Sequence, residues 1–258
     1  MKSINEFKSK IKFVLTDIDD TITTEGLLPL ESYEAIWKLK KNNIKVIPVT
    51  GRPAGWCDMI ARLWPVDGVI GENGGLYYRY SNHKMHRWNY ANETTQILNR
   101  QKLNIIAEEI RTTVPNSAIS ADQFCRVYDL AIDFCEDIPK LSQTEIDTIV
   151  QIFHNHGAEA KVSSIHVNGW FGSFNKVSTA QLFLKTEFKL SNEDILNSCA
   201  YIGDSPNDEP LFANFRHTFG VANILNFKKQ MTHLPQYIAS KTSGEGFCEI
   251  AEQILQNQ

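Results

Sequence analysis

The sequence contains no long run of apolar residues. Its longest uninterrupted run covers residues 199–202, whereas a membrane-spanning helix needs about 20 apolar residues. The first residues, MKSINEFKSKIKF, include lysines but no apolar stretch of signal-peptide length. We therefore expect a soluble, cytoplasmic protein that has no membrane partner.

Paired cysteines and an excess of basic residues are also absent. We interpret the scattered cysteines, none of which forms a C-x-x-C pair, as reduced thiols that mostly fill the core. Lysines and arginines number 26 against 30 aspartates and glutamates, for a formal net charge of -4. Because nucleic acids need a basic surface, we expect no nucleic-acid partner. An anionic substrate would need a metal ion or a few placed cations.

The length of 258 residues corresponds to between one and two domains. Strands predicted at 11–16, 44–50 and 66–70 alternate with helices near 32–41 and 54–64. Towards the C-terminus we predict a helix from about 175, a strand at 199–203, a short helix at 217–221 and a final helix near 244–256. This alternation is typical of parallel strands in a doubly wound sheet.

The middle of the chain has a different pattern, which favours an α+β insert with its own small core. It includes a long amphipathic helix at 93–112, and a capping box of Ser142 and Glu145 that begins another helix. We predict an α/β fold: a doubly wound parallel sheet formed by residues 1–76 and 166–258, with a smaller α+β domain inserted at 77–165.

Acidic residues follow two of the predicted strands. One group is Asp17, Asp19 and Asp20, and the other is Asp204 and Asp208 with Asn207 between them. Taken alone, the first group could be an acidic turn, since aspartate favours turns. Open parallel sheets, however, bind ligands beyond the carboxyl ends of their strands. Two acidic groups at strand ends, with oxygen ligands only, predict one divalent site for Mg²⁺ rather than zinc.

Groups that can bind a phosphate accompany these acids. Thr50 and Gly51 end the second strand and offer a hydroxyl and a backbone N–H, and Lys176 adds a cation at the start of a helix. Each alone would be an ordinary strand-end or surface residue. Phosphoryl transfer needs neutralised oxygens and an in-line nucleophile. In this interpretation Asp17 attacks phosphorus, while Asp19 protonates the leaving oxygen and later deprotonates water.

Four segments together resemble the motifs of the haloacid dehalogenase superfamily: DIDDT (17–21), TGR (50–52), Lys176 and GDSPND (203–208). The acid pair Asp17 and Asp19 matches its phosphatase type. The position of the insert, and GENGG at residues 71–75, are similar to the branch with a large α/β cap. That branch includes Cof-like phosphatases, sucrose-phosphate phosphatase and phosphomannomutase. The resemblance covers nearly the whole chain and implies a Rossmann-type core with an inserted cap.

The resemblance also implies roles for individual residues. Asp17 would be the nucleophile and Asp19 the acid/base. Mg²⁺ would be held by the Asp17 side chain, the Asp19 main-chain carbonyl and Asp204, with Asp208 close by. The substrate-binding residues would be Thr50, Gly51, Arg52, Lys176 and Asn207. Arg52 is either a cation beside the phosphate or part of a structural ion pair. Val177, where many relatives have glycine, and Pro206 depart from the pattern.

These observations predict a Mg²⁺-dependent phosphomonoester hydrolase. Its substrate would be a small phosphorylated metabolite, most plausibly a sugar phosphate, and the reaction would pass through an aspartyl-phosphate. The alternatives are a phosphosugar mutase that uses the same site and a non-catalytic phospholigand-binding protein. His166, Asn168 and Trp170 are candidates for the cleft lining. The sequence does not indicate the oligomeric state.

Overall fold

The structure is a computed structural model that describes residues 1–163 and 165–258. The strands in these ranges are β1 (Lys2–Ser3), β2 (Phe13–Thr16), β3 (Lys45–Pro48), β4 (Val69–Gly71), β5 (Leu76–Ser81), β6 (Lys84–Asn89), β7 (Ala118–Ile119), β8 (Asp129–Asp133), β9 (Glu159–Val162), β10 (His166–Trp170), β11 (Cys199–Gly203), β12 (His217–Gly220) and β13 (Tyr237–Ile238). The helices are α1 (Leu30–Lys41), α2 (Ala54–Leu63), α3 (Glu93–Thr113), α4 (Gln143–Asn155), α5 (Lys176–Phe188), α6 (Asn192–Ser198), α7 (Glu209–Asn214) and α8 (Ser243–Gln256). None of the helices in these ranges is long and apolar enough to cross a membrane.

The main sheet has six strands in the order β1-β13-β12-β11-β2-β3, and every neighbouring pair is parallel. Alternate residues of its central strands enter two different apolar clusters. Val14 of β2 packs in the cluster that contains α1 and α8, while Leu15 packs in the cluster that contains α5. A sheet covered by helices on both faces is the doubly wound arrangement. The predicted α/β fold is confirmed.

The short helix predicted at 217–221 is wrong, because residues 217–220 form β12. All four residues of β12 are buried, and the strand lies between β11 and β13 in the parallel sheet. A segment this short cannot satisfy its own backbone groups as a helix, whereas two neighbouring strands supply partners on both sides. Tertiary pairing therefore decides its conformation.

The inserted part of the chain forms a second sheet, antiparallel and ordered β7-β8-β10-β9. Helices α3 and α4 pack on it around a separate apolar cluster that includes Ile106, Ile149 and Phe153. Strand β10 belongs to this sheet, whereas the β5–β6 hairpin pairs with β4 and packs on the main clusters. The predicted boundaries at 76/77 and 165/166 remain a prediction.

Glu72 joins the two parts of the chain. Its fully buried carboxylate accepts hydrogen bonds from the backbone N–H of Ala54 (2.9 Å) at the start of α2. It also accepts from the N–H groups of Val127 (2.8 Å), Tyr128 (2.6 Å) and Asp129 (3.1 Å), where β8 begins. One side chain thus satisfies four donors that would otherwise be buried without a partner.

We expect Glu72→Ala to lower the free energy of unfolding by at least about 3 kcal/mol, because it leaves these four N–H groups without an acceptor. For a chain of this size that loss corresponds to a fall of roughly 6–12 °C in the melting temperature. Glu72→Gln keeps one acceptor oxygen and should fall between the wild type and Glu72→Ala. Thermal unfolding measures both. Exposed Glu108→Ala is the control, and an equal shift in this control and Glu72→Ala would contradict the expectation.

Candidate active site

Asp17 and Asp204 leave the sheet side by side. Strands β2 and β11 are neighbours, with Thr16 opposite Ile202, so the residues that follow them emerge at the same edge. The Asp17 N–H donates to the Ile202 carbonyl oxygen at 2.9 Å, which continues the ladder by one residue. Both aspartates are buried. The sequence predicts that the two acidic groups meet if their strands are neighbours. In the structure β2 and β11 are neighbours.

The carboxylates of Asp17, Asp204 and Asp208 form one cluster, with an oxygen of each within 4.8 Å of the others. Lys176 Nζ lies 3.0 Å from Asp17 Oδ1 and 3.2 Å from Asp208 Oδ1. One ammonium therefore faces three buried carboxylates. Burial raises the pKa of Asp17 to about 7, against the opposing effect of Lys176. Burial and the neighbouring Asp208 also raise the pKa of Asp204 well above its ordinary value.

Asp208 is held in place by two further hydrogen bonds. The Tyr201 hydroxyl donates to Asp208 Oδ1 at 2.5 Å, and the Asp204 N–H donates to Asp208 Oδ2 at 3.0 Å. Gly203 makes this approach possible, because a Cβ there would lie 2.4 Å from Asp208 Oδ2. The sequence contained a signal for Tyr201 that the motif reasoning missed: a tyrosine in a fully buried strand needs a partner for its hydroxyl.

Asn223 holds the other end of the cluster. Its Nδ2 lies 3.0 Å from Asp204 Oδ2 and 3.0 Å from the Asp20 carbonyl oxygen. The N–H of Ser243 donates to Asn223 Oδ1 at 3.1 Å, which fixes the orientation of the amide. No motif spacing pointed to this residue, which lies outside the four recognised segments.

This cluster fits a divalent cation. Its donors are all carboxylate oxygens, which hard cations prefer, and its negative charge exceeds what Lys176 supplies. The raised pKa values of Asp17 and Asp204 show that the site favours added positive charge. Without a metal ion, bound protons supply that charge. The predicted contribution of the Asp19 main-chain carbonyl stays a prediction.

The Asp19 side chain points to Arg52 instead. Arg52 Nη2 and Nε donate to Asp19 Oδ1 at 2.8 Å and 3.0 Å. Arg52 Nη1 donates to Glu136 Oε1 at 3.1 Å, and the guanidinium stacks 4.5 Å above the Trp56 ring. His166 Nε2 lies 2.8 Å from Glu136 Oε2. The neighbouring His166, followed by the charge of Arg52, lowers the pKa of Glu136 to about 2.

Asp17, Asp19 and Arg52 line a small chamber, and two of the other predicted substrate-binding residues lie around it. Gly51 and Asn207 line it together with Asp17, and the side chain of Asn207 accepts a hydrogen bond from the Ser205 hydroxyl at 2.9 Å. Thr50 is fully buried, and its hydroxyl oxygen accepts from the Arg52 N–H at 3.0 Å.

Two of the three candidates for the cleft lining, His166 and Asn168, also face this chamber. Trp170 stacks on Phe174 instead, with ring centroids 5.5 Å apart. Val177, which stands where many relatives have glycine, does not disrupt the helix that carries Lys176. Helix α5 begins at Lys176 behind an Asn175 cap that accepts from the Ser178 N–H. Because His166 and Asn168 belong to β10, the chamber combines core residues with residues from the inserted sheet.

Comparison with known proteins gives a family and a fold. Residues 14–166 match the model of a family described as haloacid dehalogenase-like hydrolase. A protein of Thermoplasma acidophilum is 18% identical, with a TM-score of 0.74 over 95% of this chain and 99% of that one. A putative HAD/COF-like hydrolase of Plasmodium vivax is 17% identical, with a TM-score of 0.73 over 98% and 99%. The sucrose-phosphatase of Synechocystis is 16% identical, with a TM-score of 0.64 over 95% and 98%. Among curated proteins none matches this chain significantly.

Proposed function

The chain belongs to the haloacid dehalogenase-like hydrolase family, and from this premise we propose that it is a Mg²⁺-dependent phosphomonoesterase that works through an aspartyl-phosphate. The observation that carries the proposal is the placement of Asp17. Its buried carboxylate lies at a strand end, 3.0 Å from Lys176, in a cluster of three acids. Two of these acids, Asp17 and Asp204, line the chamber.

Asp17 acts as the nucleophile in the proposed reaction. One of its oxygens attacks phosphorus, the bond between phosphorus and the leaving oxygen breaks, and Asp19 gives that oxygen a proton. Asp19 then takes a proton from water, which attacks the aspartyl-phosphate and releases inorganic phosphate and free Asp17. Lys176 stabilises negative charge beside the reacting oxygens.

The side chains of Asp17 and Asp204, with the Asp19 carbonyl, would hold Mg²⁺, and Asp208 would support them. When bound, the cation supplies positive charge to the oxygens of the transferring phosphoryl group. Thr50 and Gly51 bind that group through a hydroxyl and a backbone N–H. Tyr201 and the N–H of Asp204 keep Asp208 in its position through the bonds described above.

We propose a sugar phosphate as the substrate. Proteins of similar fold include the sucrose-phosphatase described above and a protein related to trehalose-6-phosphate phosphatase, which is 17% identical with a TM-score of 0.62. His166 and Asn168 add polar side chains from the inserted sheet to the chamber wall.

A phosphate-release screen tests this function. Purified protein with Mg²⁺ is given a panel of phosphorylated metabolites and a generic aryl phosphate, and inorganic phosphate is measured. We expect hydrolysis of the aryl phosphate and faster hydrolysis of at least one sugar phosphate. No release from any compound would contradict the proposal. Conversion of a sugar 1-phosphate to its 6-phosphate in excess of free phosphate would identify the mutase instead.

A further inference from the structure

Arg52 lies between two cavities. The inner chamber, which Asp17 lines, has a volume of about 20 Å³, enough for about one water molecule. The outer cavity, lined by Glu136 and Cys135 among others, has a volume of about 260 Å³. Asp19, Arg52 and Ile165 line both cavities. Asp19 and Arg52 therefore lie at the boundary between Asp17 and the outer cavity.

Glu136 belongs to the inserted part of the chain and lies beside this boundary, in the wall of the outer cavity. Its two carboxylate oxygens lie 3.1 Å from Arg52 Nη1 and 2.8 Å from His166 Nε2. The backbone fixes this position, because Asp133 Oδ1 accepts from the Glu136 N–H at 2.7 Å. An anionic group with two oxygens between a guanidinium and an imidazole occupies the kind of site that also suits a phosphate.

We propose that Glu136 is an internal anion that competes with the phosphoryl group of the substrate for Arg52. This inference rests on the proposed function. In the free protein Arg52 forms an ion pair with Glu136, and on binding the phosphoryl oxygens replace the Glu136 carboxylate. The two interpretations of Arg52 that the sequence left open then describe two states of one residue. Glu136 is a positioning residue, since it acts through Arg52.

Arg52 and Glu136 are buried to different extents, which favours replacement of the Glu136 carboxylate by another anion over a permanent ion pair. The Arg52 side chain is only 7% exposed and is held by Asp19 and Trp56, whereas the Glu136 side chain is 31% exposed towards the outer cavity. Water can solvate Glu136 when it leaves, while the guanidinium stays in place at the chamber wall. Partly exposed ion pairs are weak, so an incoming dianion can displace this one.

The test compares Glu136→Gln with Asp137→Asn, which removes the same charge from the neighbouring position. The Asp137 side chain forms no ion pair among residues 1–163 and 165–258. We expect Glu136→Gln to lower KM for the aryl phosphate about three- to tenfold with kcat within twofold of wild type. Asp137→Asn should change neither constant. In an Arg52→Met background, Glu136→Gln should no longer lower KM.

Calorimetry with inorganic phosphate provides a second readout that does not need turnover. We expect Glu136→Gln to bind phosphate three- to tenfold more tightly than wild type, and melting curves confirm that each variant is folded. An unchanged or raised KM, or a fall in kcat alone, would overturn the proposal. If the wild type hydrolyses nothing, the proposed function fails, and the phosphate isotherms still decide the role of Glu136.

Discussion

The Asp17→Asn variant is expected to lose phosphatase activity by at least about 10⁴-fold, because an amide cannot form the covalent intermediate. Lys176 and the phosphate-binding residues remain in the variant, so substrate can still bind but cannot react. Phosphate release from the aryl phosphate, followed with enough enzyme to detect slow turnover, measures the loss. Exposed Asp147→Asn, on α4, is the matched control and should retain full activity.

The same variant should not be less stable than the wild type without metal. Burial and like charges make the ionised Asp17 unfavourable, which is why its pKa lies near 7 rather than near 3.8. An amide of the same shape removes one of three crowded carboxyl groups. A melting temperature at or above that of the wild type would show that lost activity is not lost folding. Activity within tenfold of the wild type would exclude Asp17 as the nucleophile.

Removal of the divalent cation by a chelator should also abolish phosphatase activity. We expect a chelator to reduce phosphate release to below about 1% of its initial rate, and excess Mg²⁺ to restore it. The physical reason is that one lysine leaves the carboxylates of Asp17, Asp204 and Asp208 partly uncompensated. Full activity in chelator would contradict the proposed cofactor. Asp204→Asn should need a higher Mg²⁺ concentration for half-maximal activity.

The raised pKa of Asp17 determines whether the stability of the folded protein rises or falls with pH. A carboxyl with a folded-state pKa near 7 binds protons more strongly in the folded than in the unfolded chain. Its contribution to stability is therefore fully present below about pH 4 and is lost as the pH rises to about 7. Mg²⁺ competes with these protons, so the rise in melting temperature on adding Mg²⁺ should be larger at pH 8 than at pH 6. An equal rise at both would contradict this linkage.

Much of the site followed from the sequence because the order of strands brings it together. Acids at the ends of two strands meet only if those strands are neighbours, and the βα alternation together with the four motifs predicted this arrangement. Lys176 needed the motif resemblance, since a lone lysine at a helix start is uninformative. The error at 217–221 has a related cause: a segment of four or five residues takes its conformation from the strands beside it.

Residues that act through long-range contacts were not predictable. Asn223 and Glu136 lie outside the motifs, and Glu136 reaches Arg52 across 84 positions of sequence. Their roles depend on how the inserted sheet is placed against the core, which no local pattern encodes. Tyr201 is intermediate, because its burial could be inferred but the identity of its partner could not.

Glu72 has a consequence for how the two parts of the molecule move. Its carboxylate ties the first residue of α2 to the start of β8, so the separation between these two points is fixed. The Glu72 bonds are buried, whereas the Arg52–Glu136 link between the same two parts is partly exposed. We therefore expect the inserted domain to open by rotating about a point near Glu72, so that the displacement of each residue increases with its distance from Glu72.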